Sequence, residues 1–188
     1  MKRIFIVHGW GGYPAEGWFP WIKKRLEQRK FTVHVLSMPH SEKPIINEWV
    51  PFLRTAVGTP DKFTYFIGHS IGCQTILRYL ETVQIVVGGA VLVAPWFTLT
   101  GLETQEDKQI AHEWLETPIA FNHIKKIAKI QAIFSDNDPF VPLDNIKLFE
   151  QKLSAVIILE YQKGHIGGED SILELPSALD ATLKLSNE

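Results

Sequence analysis

The sequence predicts an α/β fold, a mostly parallel sheet with helices on both faces. Three observations carry this reading. The apolar runs at 4–7, 63–67, 88–93 and 130–134 are short and nearly continuous, the mark of strands buried on both faces. Segments of helical periodicity separate them, so strand and helix alternate, as in parallel strands joined by right-handed crossovers. No internal repeat, linker or low-complexity tract interrupts the 188 residues, so a single domain over 1–188 accounts for the chain.

The strand at 4–7 runs into His8-Gly9-Trp10-Gly11-Gly12, a glycine loop that brings backbone N–H groups to the carboxyl edge of the sheet. No Gly-Lys-Ser/Thr follows, which argues against a phosphate loop. Residues 18–29 read as an amphipathic helix with Trp18, Trp21, Ile22 and Leu26 on one face. Residues 31–36 alternate as a second strand, and Met38-Pro39-His40 turns out of it. Pro44 stands near the start of a helix through Trp49, Phe52 and Leu53 towards Val57, with Pro51 as an internal irregularity. Gly58-Thr59-Pro60-Asp61 breaks it, and the strand at 63–67 leads to Gly68-His69-Ser70-Ile71-Gly72 and a helix at 73–80. The strand at 88–93 ends in Ala94-Pro95-Trp96. Residues 95–123 mix acidic and aromatic residues irregularly and read as a small cap with one or two short helices. The strand at 130–134 enters Ser135-Asp136-Asn137-Asp138-Pro139. A helix at 143–153, a strand at 155–159, the turn around Gly164-His165 and a helix at 173–185 complete the chain.

Composition narrows the function classes. A net charge of −2 gives no electrostatic case for nucleic acid or an anionic membrane. No stretch approaches transmembrane length, and the apolar run after Met1-Lys2-Arg3 stops at His8, too short for a signal sequence. Cys73 is the single cysteine, which fits a reducing compartment, and a cytoplasmic location is expected.

Chemistry concentrates at the strand ends. A serine on a sharp strand-to-helix turn has an exposed hydroxyl beside the N–H groups of a helix N-terminus, and the flanking glycines avoid collisions there. Ser70 is therefore a candidate nucleophile. A serine hydroxyl needs a base, and His165 follows a later strand; imidazole, with an ordinary pKa of ~6.5, suits that role. The base needs a carboxylate to orient it, and Asp136 and Asp138 both follow the strand at 130–134. All these positions fall at one edge of a parallel sheet. The backbone N–H groups of Ile71 and Trp10 would form an oxyanion hole, each such donor being worth ~3 kcal/mol in a transition state.

Gly68-His69-Ser70-Ile71-Gly72, the His8-Gly9-Trp10-Gly11-Gly12 loop, the acidic turn closing with Val141-Pro142, and Gly164-His165 together resemble the α/β-hydrolase superfamily. The short length, the opening strand that leads straight into the glycine loop, and Asp138-Pro139-Phe140 are similar, more narrowly, to the small serine hydrolases related to retinoblastoma-binding protein nine and their bacterial relatives. The resemblance implies an α/β-hydrolase-like sheet with a minimal cap, a triad of Ser70, Asp138 and His165, and no metal or organic cofactor. It favours Asp138 over Asp136 because the family's acid precedes Val-Pro. The vertebrate member has a Leu-x-Cys-x-Glu segment for a protein partner. Leu53-Arg54-Thr55-Ala56-Val57 lacks both the cysteine and the glutamate, so the chemistry is carried over and the partner is not.

Other residues have plainer readings. His8 shapes its loop and His69 packs beside the serine turn. His40, His112 and His123 are solvated and lack metal-ligand spacing. Cys73 and Trp18 face the core, whereas Trp10, Trp96 and Trp114 divide evenly between core and the wall of a substrate pocket. The function expected is a carboxylesterase acting on small or medium acyl groups, because the cap is too short for a large lid; a peptidase or thioesterase is the alternative among enzymes. The reading from another class is a catalytically silent interaction module with the same fold. Its signature would be a missing triad member or an occluded serine turn, and the triad is complete in the sequence.

Overall fold

The computed structural model describes residues 1–187. In chain order the elements are β1 (Arg3–Val7), α1 (Phe19–Glu27), β2 (Thr32–Leu36), α2 (Ile46–Val57), β3 (Thr64–His69), α3 (Ile71–Leu80), β4 (Gly89–Val93), α4 (Gln105–Glu116), α5 (Phe121–Ile127), β5 (Ile130–Ser135), α6 (Asp144–Leu153), β6 (Val156–Glu160) and α7 (Pro176–Ser186). The six strands form one sheet in the order β2-β1-β3-β4-β5-β6, and every neighbouring pair is parallel.

Strand alternation sorts the apolar side chains onto two faces. Phe5, Val7, Phe66 and Leu92 join Trp49 and Leu53 of α2, Ile76 and Leu80 of α3, and Phe149 of α6 on one face. Ile4, Ile6, Ile67 and Val91 join Ile22 and Leu26 of α1 and Ala178 and Leu179 of α7 on the other. The central strands β3, β4 and β5 are buried along their whole length, whereas the edge strands β2 and β6 are partly exposed. The nearly continuous apolar runs are thus the inner strands, as burial on two faces requires.

The order of the strands locates the site. The chain winds from β1 to β2 on one side, then crosses to β3 on the other. The helices after β1 and β3 therefore pack on opposite faces of the sheet, and sheets of this kind bind ligands at the carboxyl end of such a switch point. The loops after β1 and β3 carry His8-Gly9-Trp10 and Ser70.

Some boundaries differ from the sequence reading. The last helix begins at Pro176, not at 173, and Leu173 is exposed. Pro176 disfavours helical backbone at Leu175, whose φ of −135° is extended. Between β4 and β5, α5 extends past 123 to Ile127. His123 is half-buried rather than solvated, its Nε2 lying 2.6 Å from the Val83 carbonyl. Arg78 of α3 is buried and donates to the carbonyls of Trp114, Thr117 and Pro118, tying the end of α4 to the helix that follows Ser70.

Candidate active site

Ser70 stands between β3 and α3 with φ 52° and ψ −119°, a backbone conformation costly for a residue with a side chain. Its surroundings enforce that turn. A Cβ on Gly68 would lie 2.8 Å from the Cys73 nitrogen, and one on Gly72 would press on the carbonyls of Val7 and His8, the latter at 2.6 Å. Only glycine lets α3 pack this closely against β1 and β3. The Ser70 N–H donates to the Val93 carbonyl, fixing the turn to β4. Cys73 is core: it is 1% exposed, its thiol lies 3.3 Å from the Val93 carbonyl oxygen, and burial pushes its pKa up.

Ser70 Oγ lies 2.8 Å from His165 Nε2, and His165 Nδ1 lies 2.8 Å from Asp138 Oδ2. A carboxylate only accepts, so Nδ1 carries the proton and Nε2 is left to accept from the serine hydroxyl. The other Asp138 oxygen accepts from the N–H groups of Phe140 and Val141. With its side chain 1% exposed against 19% for His165, the acid is enclosed and the imidazole is reachable.

The acid turn also positions the histidine loop. Ser135 Oγ accepts from the Lys163 N–H, Asp136 Oδ1 from Gln162, and Asn137 Oδ1 from Gly164 and from Ser135 Oγ–H. Four consecutive side chains, 135 to 138, thus hold residues 162 to 165. Asp136 is exposed and meets backbone, the turn-holding role of an Asx residue, whereas Asp138 meets the imidazole. The sequence reading missed Ser135 and Asn137; the only signal was a run of four short polar residues after a strand.

Two buried histidines, at the ends of β1 and β3, are held in neutral form. His8 Nε2 accepts from the Met38 N–H, which leaves Nδ1–H to donate to the Gly9 carbonyl. Burial lowers its pKa, a trend that the Gly9 bond and the Glu16 charge oppose. His69 Nε2–H donates to the His165 carbonyl at 2.8 Å. Burial, followed by the neighbouring His165, pulls the His69 pKa from 6.5 to about 3. A Cβ on Gly9 would sit 2.8 Å from His69 Nδ1 and 3.5 Å from Ser70 Cβ, so the glycine loop lies directly against the serine turn. Ile71 is the first residue of α3, and its N–H has no acceptor within the helix.

The tryptophans separate. Trp10 is half-buried, with its Nε1–H donating to the Glu42 carbonyl. Trp96 and Trp114 are 2% and 1% exposed and belong to the core, which resolves their even division between core and pocket wall against the wall. Trp114 packs edge-on against Trp49 and donates to the Pro44 carbonyl, and the Trp96 carbonyl accepts from Gln74. An indole fits a core as well as a binding surface once its N–H finds an acceptor. Two clefts, of about 300 and 590 Å³, are lined by residues of α5, α6, α7 and adjoining segments, and neither includes Ser70, Asp138 or His165. Among the described residues, no group of three or more His, Cys, Asp or Glu is placed to hold a metal ion, and no helix is long and apolar enough to cross a membrane.

Comparison with known proteins gives the same picture at the level of family. The model of the serine hydrolase family matches residues 4–183. The YdeN protein of Bacillus subtilis (strain 168) is 29% identical over 182 residues, covering 95% of this chain and 93% of its own. The serine hydrolase RBBP9 of Rattus norvegicus is 29% identical over 167 residues, covering 87% and 86%. Among solved structures, the ydeN gene product of B. subtilis superposes with a TM-score of 0.90 at 27% identity over 100% of both chains. Est1E from Butyrivibrio proteoclasticus, in the structure with bound ferulic acid, shares the fold with a TM-score of 0.76 at 13% identity, over 100% of this chain and 90% of that one. The chain belongs to the serine hydrolase family, has the α/β-hydrolase fold, and is an enzyme of hydrolytic type.

Proposed function

We propose that Ser70, His165 and Asp138 form a catalytic triad that hydrolyses carboxylic esters of small or medium acyl groups through an acyl-enzyme. Ser70 Oγ attacks the ester carbonyl carbon while His165 Nε2 takes the hydroxyl proton. Asp138 holds the ring in the required tautomer and stabilises its cationic form. The carbonyl oxygen becomes an oxyanion beside the N–H groups of Ile71 and Trp10. As the tetrahedral intermediate collapses, the C–O bond to the alcohol breaks and His165 returns the proton to the leaving oxygen. Water, deprotonated by His165, then attacks the acyl carbonyl, and Ser70 leaves with the proton.

The observation that carries this reading is the unbroken chain from Ser70 Oγ through both nitrogens of His165 to Asp138, each link 2.8 Å long. The preference for modest acyl groups rests on the short connection between β4 and β5, tied down through Arg78, which leaves little chain for a large lid. The test is labelling with a fluorophosphonate at neutral pH, run beside hydrolysis of an acyl-length series of ethyl esters. Wild type is expected to label and to turn over the shorter esters, and Ser70→Ala to do neither. Equal labelling of the two proteins would remove Ser70 from the mechanism.

A further inference from the structure

Two rings lie against the His165 imidazole, and they differ in access. His69 lies 5.1 Å away between centroids and is enclosed at 5% exposure. Phe140 lies 5.3 Å away, edge-on at 82°, and is 37% exposed. Of these two rings beside the base, one is buried and the other is an exposed apolar ring.

The backbone of Phe140 is tied down on both sides. Its N–H donates to Asp138 Oδ1, and its carbonyl accepts from the Thr100 N–H at 2.9 Å. Gly101, with φ 69°, lies against it, and a Cβ there would come 3.3 Å from the Phe140 ring and 2.8 Å from the Pro139 carbonyl oxygen. The ring is thus seated between the acid turn and the segment that follows β4. A large exposed apolar side chain fixed in this way beside a reactive group is a ready contact surface.

In the proposed reaction the leaving alcohol receives its proton from His165 Nε2, so it comes to lie beside the imidazole, where buried His69 offers it no surface and Phe140 is an exposed ring in contact with the base. We infer that Phe140 is the wall against which the leaving group packs, and that the site thereby selects esters whose alcohol is aromatic or otherwise bulky and apolar. This inference rests on the ester-hydrolase reading and adds the class of leaving group to it. Phe140 acts as a specificity residue, contributing ring contact and no proton.

The test holds the acyl group constant and varies the alcohol. Benzyl and ethyl acetate differ in the bulk of the alcohol far more than in its acidity, so their kcat/KM ratio reports leaving-group contact. Phe140→Ala is expected to lower the benzyl-to-ethyl ratio roughly three- to tenfold, the loss of one aromatic pair. Phe140→Tyr is expected to restore it, and the ratio of ethyl butyrate to ethyl acetate is expected to stay constant. If Phe140→Ala slows both acetates by the same factor, Phe140 merely supports His165 and the inference is overturned. A wild-type enzyme that labels with fluorophosphonate yet hydrolyses neither acetate overturns the ester reading itself, and the leaving-group assignment falls with it.

Discussion

Ser70 and His165 meet at 2.8 Å, but they are held there by different means. The serine turn is held by volume. Gly68 and Gly72 stand where any side chain would strike Cys73, Val7 or His8, and the resulting fit forces Ser70 to a positive φ. The histidine loop is held by hydrogen bonds. Ser135, Asp136, Asn137 and Asp138 reach across to residues 162–165, and Asp170 closes the far side by accepting from the Gly167 N–H. Close packing is unforgiving of added atoms, whereas a set of hydrogen bonds loses strength one member at a time. The two sides should therefore fail differently.

The largest effect is expected at the acid. An amide at 138 would still accept from Phe140 and Val141, but it would turn its NH₂ towards His165 Nδ1. The ring would then take the other tautomer, with a proton on Nε2 facing Ser70. For Asp138→Asn, kcat in ester hydrolysis should fall on the order of 10⁴-fold. Asp136→Asn, which disturbs one exposed backbone contact, should stay within about tenfold of wild type. The reverse ranking would move the triad acid to Asp136.

Next comes the packing side. Gly72→Ala should cost about 3 kcal/mol in urea unfolding, because two carbonyl oxygens of the β1 loop have nowhere to go. Gly167→Ala is the matched control on the histidine loop. A Cβ there meets its nearest atom, His69 Cε1, at an ordinary 3.5 Å, so its cost should stay below ~1 kcal/mol. Equal costs would mean that the two sides are held alike.

His69 touches both sides, through Gly9 and through the His165 carbonyl, and its titration sharpens the contrast. Its pKa is about 3 in the folded protein against 6.5 unfolded. Between those values the unfolded chain binds the extra proton. The stabilisation is therefore complete above about pH 6.5 and is lost progressively as pH falls towards 3. From pH 7 to pH 5 wild type should lose about 2 kcal/mol more than His69→Gln, read by urea unfolding at each pH. His8, also lowered by burial, loses stability in the same direction in both proteins. An identical pH response in the two proteins would show that His69 is protonated as readily folded as unfolded.

The smallest effect is expected at Asn137, which contributes one acceptor for Gly164 and Ser135. Asn137→Ala should lower kcat/KM about tenfold, and fluorophosphonate labelling should slow in parallel. A variant with wild-type kinetics would show that the remaining contacts position His165 unaided.

The same contrast explains what could be read from the chain. A steric demand is local, and it leaves glycines at fixed offsets, so Gly68-x-Ser70-x-Gly72 was legible within five residues. The nearly continuous runs that became β1, β3, β4 and β5 were legible because burial on two faces excludes polar residues. Asn137 and Ser135 were not legible, since short polar residues after a strand serve any turn equally well. Trp96 and Trp114 were left evenly between core and pocket wall for a related reason. An indole suits a core and a binding surface alike, and only neighbours such as Trp49 and Pro44 decide between them.

The sequence by itself determined the alternation of elements, the candidate serine, histidine and acid, and the sheet edge at which they fall, because burial period and turn sterics are properties of short stretches. The tertiary structure decided which aspartate meets His165, which tryptophans are core, and that the imidazole has a buried ring, His69, and an exposed one, Phe140, beside it. Those outcomes depend on how loops from β3, β5 and β6 converge. Convergence in space is set by the strand order and the packing of helices on both faces, and no local pattern records it.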